Sequence, residues 1–304
     1  MIKKAPQLKT ITFTTLVLGL LIFAPTDNAW GQKTNPSKKS TSFTQADYAA
    51  HLDKLKKKLQ HKGFNIVVEK PFVVVSDMPA AQLRTRWAQG TVRWATQKLK
   101  ASYFNKDPHH ILDIWLFKDK ASYEKHTLQL WGSKPTTPYG YYSSANRVLV
   151  MNIATGGGTL VHEIVHPFIE SNFPNCPAWF NEGLGSLYEQ SHERKGKIIG
   201  LTNWRLAGLK QVISKGKLPS FKDLTSQSNR TFYTSTRGNN YAQSRYLLYY
   251  LQEQGLLPKY YSQFLANRKT DPTGYRTLQQ VLGEKDMSRF QKNWEKYVMK
   301  LTFP

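Results

Sequence analysis

The sequence predicts an α+β fold in which a small twisted sheet lies beside a mainly helical half. Two observations carry this. Up to about residue 152, short runs rich in β-branched and aromatic residues alternate with longer segments of helical periodicity. Beyond it, the apolar residues recur every three to four positions through to the C-terminus. No internal repeat is evident.

Thr44 to Gln60 has the pattern of an amphipathic helix capped by Thr44. Phe64-Asn65-Ile66-Val67-Val68-Glu69 and Phe72-Val73-Val74-Val75-Ser76 read as strands separated at Pro71. Ala80 to Ala101 is a second, long helix. Ile111 to Phe117 is a continuous apolar run and hence a buried strand, Lys120 to Trp131 a helix, and Arg147 to Asn152 a further strand. The segment Thr159 to Ile169, entered from Thr155-Gly156-Gly157-Gly158, places Leu160, Val161, Ile164, Val165 and Phe168 at near-helical spacing. Pro167 opposes that helix, because it removes a backbone hydrogen bond and kinks or ends helices. Trp179 to Gln190 carries Phe180, Leu184, Leu187 and Tyr188 on one side, with Glu182 and Glu189 on the other.

Chemistry concentrates in His162-Glu163-Ile164-Val165-His166. Residues i and i+4 of a helix share a face, so two imidazoles can grip one zinc ion while Glu163 points toward its open side. A catalytic zinc takes three protein ligands and keeps one position open, which directs the search to an acid on a following helix. Glu182 fits, with room between it and His166 for the first helix to finish and a second to return. Glu189 reads either as part of a solvated helix face or as a partner of the site.

The pairing of His162-Glu163-Ile164-Val165-His166 with Trp179-Phe180-Asn181-Glu182-Gly183-Leu184 resembles the gluzincin metallopeptidases, and more narrowly the bacterial peptidase MA-like proteins. Weaker similarity continues through Leu218 to Leu224, Tyr241 to Gly255 and Phe290 to Tyr297, so that it covers about Ile111 to the C-terminus. The resemblance implies a zincin-like fold with the metal between sheet and helices, and a peptidase domain over 111–304 preceded by a helix/strand region over 44–110. It implies His162, His166 and Glu182 as zinc ligands, Glu163 as general base, and Glu189 as the acid that orients a ligand histidine. Tyr241 occupies the place of a tyrosine that points at the reacting carbonyl, or is one packed tyrosine among sixteen. Gly185 departs from the pattern, standing where alanine is common, and no motif for a substrate's free amine is present. The strand before the metal helix pairs with substrate backbone in such enzymes when it lies at a sheet edge; Gly140-Tyr141-Tyr142 with Val148-Leu149-Val150 offers such an edge, or an ordinary interior strand.

The rest of the chain sets bounds. Lys3, Lys4 and Lys9, an apolar run from Ile11 to Ala24 and a polar stretch ending at Gly31 read as a signal peptide over 1–31, so that a periplasmic or secreted protein is expected; an uncleaved anchor is the competing reading. Residues 32–43 have the composition of a disordered linker. The lone Cys176 cannot close an internal disulfide. The net charge of +23 favours anionic partners, here cell-envelope polymers, and without interleaved aromatic and basic residues no nucleic-acid module is expected. Lys54-Leu55-Lys56-Lys57-Lys58 reads as a solvated helix face. The sequence thus predicts an exported zinc metallopeptidase acting on peptide or protein. The alternatives are a silent envelope-binding protein of the same fold and a zinc amidase acting on cell-wall peptides; a binding-only descendant would have no need of Glu163.

Overall fold

The computed structural model describes residues 43–59, 63–234 and 240–304. The expected leader and all but the last residue of the expected linker lie outside the described residues. The fold is α+β. The first helix, α1 (Gln45–Leu59), opens at Thr44, whose hydroxyl accepts from the Asp47 N–H while Asp47 accepts from the Thr44 N–H, a reciprocal cap. Strands β1 (Asn65–Glu69) and β2 (Phe72–Ser76) follow. The long second helix is realised in three parts: α2 (Ala80–Gln82), a wide π-helical stretch Leu83–Arg93, and α3 (Trp94–Ser102). Sequence periodicity near 3.6 did not distinguish that stretch from an ordinary helix, since Leu83, Trp87, Ala88 and Val92 are buried at spacings that serve either.

Strand β3 (Leu112–Phe117), helix α4 (Lys120–Trp131), and strands β4 (Gly140–Ser143) and β5 (Val148–Asn152) complete a five-stranded sheet of order β1-β2-β3-β5-β4. The central pairs β2/β3 and β3/β5 are parallel; the outer pairs β1/β2 and β4/β5 are antiparallel. The sheet crosses residues 110 and 111, so the N-terminal helix/strand region and the segment after it share one structural unit. Alternation along the strands builds two cores. Phe72, Val74, Leu112, Ile114, Leu116, Leu149 and Met151 face the large helical half, while Val73, Val75, Trp115, Phe117, Val148 and Val150 face α1 and α4. Strands covered on both faces read as continuous apolar runs, and the central three do. Val148, Leu149 and Val150 are interior; the edge strand next to them is Gly140–Ser143.

After a short turn at Ile153–Thr155 come α5 (Gly158–Asn172) and α6 (Ala178–Tyr188). Pro167 neither ends nor limits α5, which continues for five residues beyond it. Burial of Phe168, Ile169, Ser171 and Asn172 outweighs the single missing hydrogen bond. A hairpin of β6 (Ser191–Arg194) and β7 (Lys197–Gly200), turning through Lys195 and Gly196 at positive φ, interrupts the helical half and was not expected. The remainder is helical: α7 (Arg205–Ser214), α8 (Phe221–Thr225), α9 (Asn229–Thr234), α10 (Asn240–Glu253), α11 (Leu257–Asn267), α12 (Tyr275–Leu282) and α13 (Met287–Lys300). Helix α10 packs on α6, and its buried Arg245 donates to the carbonyls of Ser186, Leu187 and Leu201, closing the end of α6. No described helix is long and apolar enough to cross a membrane.

Candidate metal centre

Helix α5 supplies His162, Glu163 and His166 from one face, and α6 supplies Glu182 from its first turns. The side chains of His162, His166 and Glu182 are 8, 10 and 9% exposed. Glu182 Oε2 lies 3.1 Å from His162 Nε2 and 3.9 Å from His166 Nε2, and the candidate ligand atoms all fall within 4.8 Å of one another. Two ligands on a tetrahedral zinc stand about 3.3 Å apart, given bonds near 2.0–2.1 Å. The two imidazole nitrogens and the carboxylate oxygen are of the types zinc takes, and the group is close enough to hold a metal ion after small adjustments of the side chains. Glu163 is not one of these three, although its carboxylate, 3.7 Å from His166 Nε2, is slightly nearer that nitrogen than the Glu182 carboxylate is.

The far nitrogens of both rings are engaged, which turns Nε2 of each toward the cluster. His162 Nδ1 is 3.1 Å from Glu189 Oε1, and His166 Nδ1 is 2.9 Å from Asn181 Oδ1. With Nδ1–H donating to these oxygens, each Nε2 is the nitrogen turned to the cluster, and a metal would bind there in place of any proton that Nε2 carries. Glu189 is buried and belongs to the site, not to a solvated face. It is held in turn by Arg205, through two hydrogen bonds of 2.6 and 2.8 Å, and by the Asn203 amide at 3.1 Å. Glu182 Oε1 accepts from the Tyr233 hydroxyl at 2.8 Å. Asn181, Asn203, Arg205 and Tyr233 were not identified from the sequence. Asn181 adjoins Glu182 within the recognised motif; the other three carry no periodic or motif signal.

Electrostatics set the same groups against one another. Burial penalises the charge on Glu182, yet His166 and His162 outweigh it and hold the carboxyl down to about 2. Burial also opposes ionisation of Glu189, but the Arg205 guanidinium and His162 bring it to about 2. Burial disfavours a charged His162, and its hydrogen bonds with Glu182 and Glu189, with the charge of Glu163 behind them, still raise it to about 10. Glu163 is raised, chiefly by burial. Three acidic side chains thus gather around two imidazoles and one guanidinium, a grouping that favours positive charge within it.

Tyr241, at the start of α10, is brought to this cluster. Its ring lies 5.3 Å from the Arg205 guanidinium carbon and 5.3 Å from the Phe232 ring. Burial, then the charge of Glu182, pushes its hydroxyl well above the ordinary phenol value, with Tyr233 and Glu163 among the further neighbours. Edge strand β4 flanks the other side: Tyr142 stacks on the His166 ring at 6.4 Å and donates to Glu170, one turn further along α5.

Residues 155–271, from the turn before α5 to the loop before α12, match the family described as a protein of unknown function (DUF1570). A comparison with curated proteins returns no match. The matched segment contains both helices of the candidate site, Arg205, Tyr233 and Tyr241, and excludes the five-stranded sheet.

Proposed function

We propose that this chain is an exported zinc-dependent metallopeptidase. The observation that carries the reading is the convergence of His162 Nε2, His166 Nε2 and Glu182 Oε2, with Glu163 on the same face but outside that trio. His162, His166 and Glu182 would hold zinc, which when bound supplies Lewis acidity and brings the pKa of a water toward 7. Glu163 takes the proton of the water that attacks the carbonyl carbon and returns it to the departing nitrogen. A carboxyl raised by burial is suited to both halves of that transfer. Glu189 and Asn181 keep the two rings in the tautomer and orientation the ligands need. Tyr241 donates a hydrogen bond to the oxyanion that develops on the carbonyl oxygen. The side of β4 left unpaired among the described residues takes an extended peptide beside α5, with Tyr142 fixing the strand to α5 through Glu170 and lying over the His166 ring.

The test is elemental analysis together with cleavage of a mixed peptide library by the mature protein, with and without chelator. About one zinc per chain and chelator-sensitive cleavage are expected, both lost in His162→Ala and His166→Ala. Metal-replete wild-type protein without zinc would refute the reading. Zinc without cleavage of any peptide would favour a silent binding protein on the same frame.

A further inference from the structure

The hydroxyl of Tyr233 and one oxygen of Glu182 meet inside the protein, and their geometry separates the two oxygens of that carboxylate. Oε2 faces both imidazole Nε2 atoms, while Oε1 accepts from Tyr233 at 2.8 Å. Among the described residues no other group donates to Oε1. A buried carboxylate oxygen without a donor is costly, so the hydroxyl decides which way the group is turned.

We propose that Tyr233 is a positioning residue that presents Glu182 to the metal through Oε2 alone; this rests on the zinc reading given above. The supporting frame is specific. Helix α9 lies along the first turn of α6 and is joined to it twice: Asn229 Oδ1 accepts from the Ala178 N–H at 3.1 Å, and Tyr233 reaches Glu182. Asn229 and Tyr233 are four residues apart on their helix, and Ala178 and Glu182 are four apart on theirs. Two bonds one turn apart on both partners fix the helices in register. Phe232 anchors α9 in the core at 2% exposure, and the Asn240 side chain donates to its carbonyl at 3.1 Å, so the base of the tyrosine is held as well as its tip. Tyr241 also approaches Glu182, but has no comparable hydrogen bond to it among the described residues. The two tyrosines therefore divide the work: one orients a ligand, the other is left to face substrate.

The experiment compares wild type, Tyr233→Phe and Tyr241→Phe, each as the mature protein, for zinc affinity by competition with a chromophoric chelator and for the visible absorption of the cobalt(II)-substituted form. Tyr233→Phe removes one oxygen atom and should weaken zinc binding by ~10- to 100-fold, the range for partners that orient a ligand. Its cobalt spectrum should change as Glu182 turns, whereas Tyr241→Phe should match wild type in both respects. Affinity of Tyr233→Phe within about twofold of wild type, or equal losses in the two variants, overturns the proposal. Wild-type protein that takes up neither zinc nor cobalt would instead overturn the metal reading on which it depends.

Discussion

At the scale of single residues, the site divides into groups that sequence spacing reveals and groups that only the fold brings in. His162, Glu163 and His166 were legible because helix geometry alone puts them on one face. Glu182 and Glu189 were legible as acids on the next helix, although spacing alone left the role of Glu189 open. Arg205 and Tyr233 were not, since their partners are 16 and 51 positions away and neither contact has a period. The roles assigned here separate by measurement. Glu163→Gln should keep zinc, because no ligand is removed, and lose hydrolysis by ~10²-fold or more, because the base is gone. Tyr241→Phe should keep zinc and lower kcat much more than it raises KM, since its hydrogen bond acts chiefly in the transition state. Loss of zinc in Glu163→Gln with the fold intact, or an unchanged kcat in Tyr241→Phe, would show that these roles are misassigned.

At the scale of elements, the site depends on how closely α5 and α6 approach, and two glycines permit it. A Cβ at Gly158, at the start of α5, would lie 2.1 Å from the Glu189 carbonyl oxygen, a backbone atom that cannot swing aside. A Cβ at Gly185 would meet the His162 ring at 3.0 to 3.1 Å. This explains why Gly185 departs from the alanine that the family resemblance suggests: the ring presses directly on that face of α6. Gly158→Ala should therefore part the two helices at a cost of roughly 1–3 kcal/mol, the range for overpacking. Gly185→Ala should behave oppositely in the two readouts. Alanine favours the helix by about 0.5–1 kcal/mol, while the displaced imidazole weakens zinc binding. Chemical denaturation with chelator present, set beside zinc titration, checks both; a Gly158→Ala protein as stable as wild type would contradict the close approach. The central strands and principal helices were legible at this scale because burial repeats along them. The β6–β7 hairpin was not. Its sequence, Ser191-His192-Glu193-Arg194-Lys195-Gly196-Lys197, is polar almost throughout, and Glu193 is tied to Lys98 and Trp94 by contacts almost a hundred residues apart.

At the scale of the whole molecule, the question is whether the proposed metal would hold the fold together or be held by it. Small zinc domains unfold without their ion because they lack a core. This chain has two cores on either side of a five-stranded sheet, and the residues around the cluster are braced by bonds that do not involve a metal: Arg205 to Glu189, Asn181 to His166, Tyr233 to Glu182. Removal of zinc should therefore leave the secondary structure in place. It should still lower stability, because an ion bound only by the folded state stabilises by RT ln(1 + [L]/Kd), about 2.7 kcal/mol at a hundredfold excess over Kd. For a domain of this size that corresponds to roughly 5–10 °C in Tm. Chelator should thus leave the far-UV circular dichroism of the mature protein unchanged at 25 °C and lower its Tm, with zinc restoring Tm in proportion to the logarithm of its free concentration. His162→Ala should melt at one temperature whether zinc or chelator is present. Collapse of the helical signal on chelation would mean that the metal is structural, and a Tm indifferent to zinc in protein that contains it would mean that the ion sits outside the buried cluster.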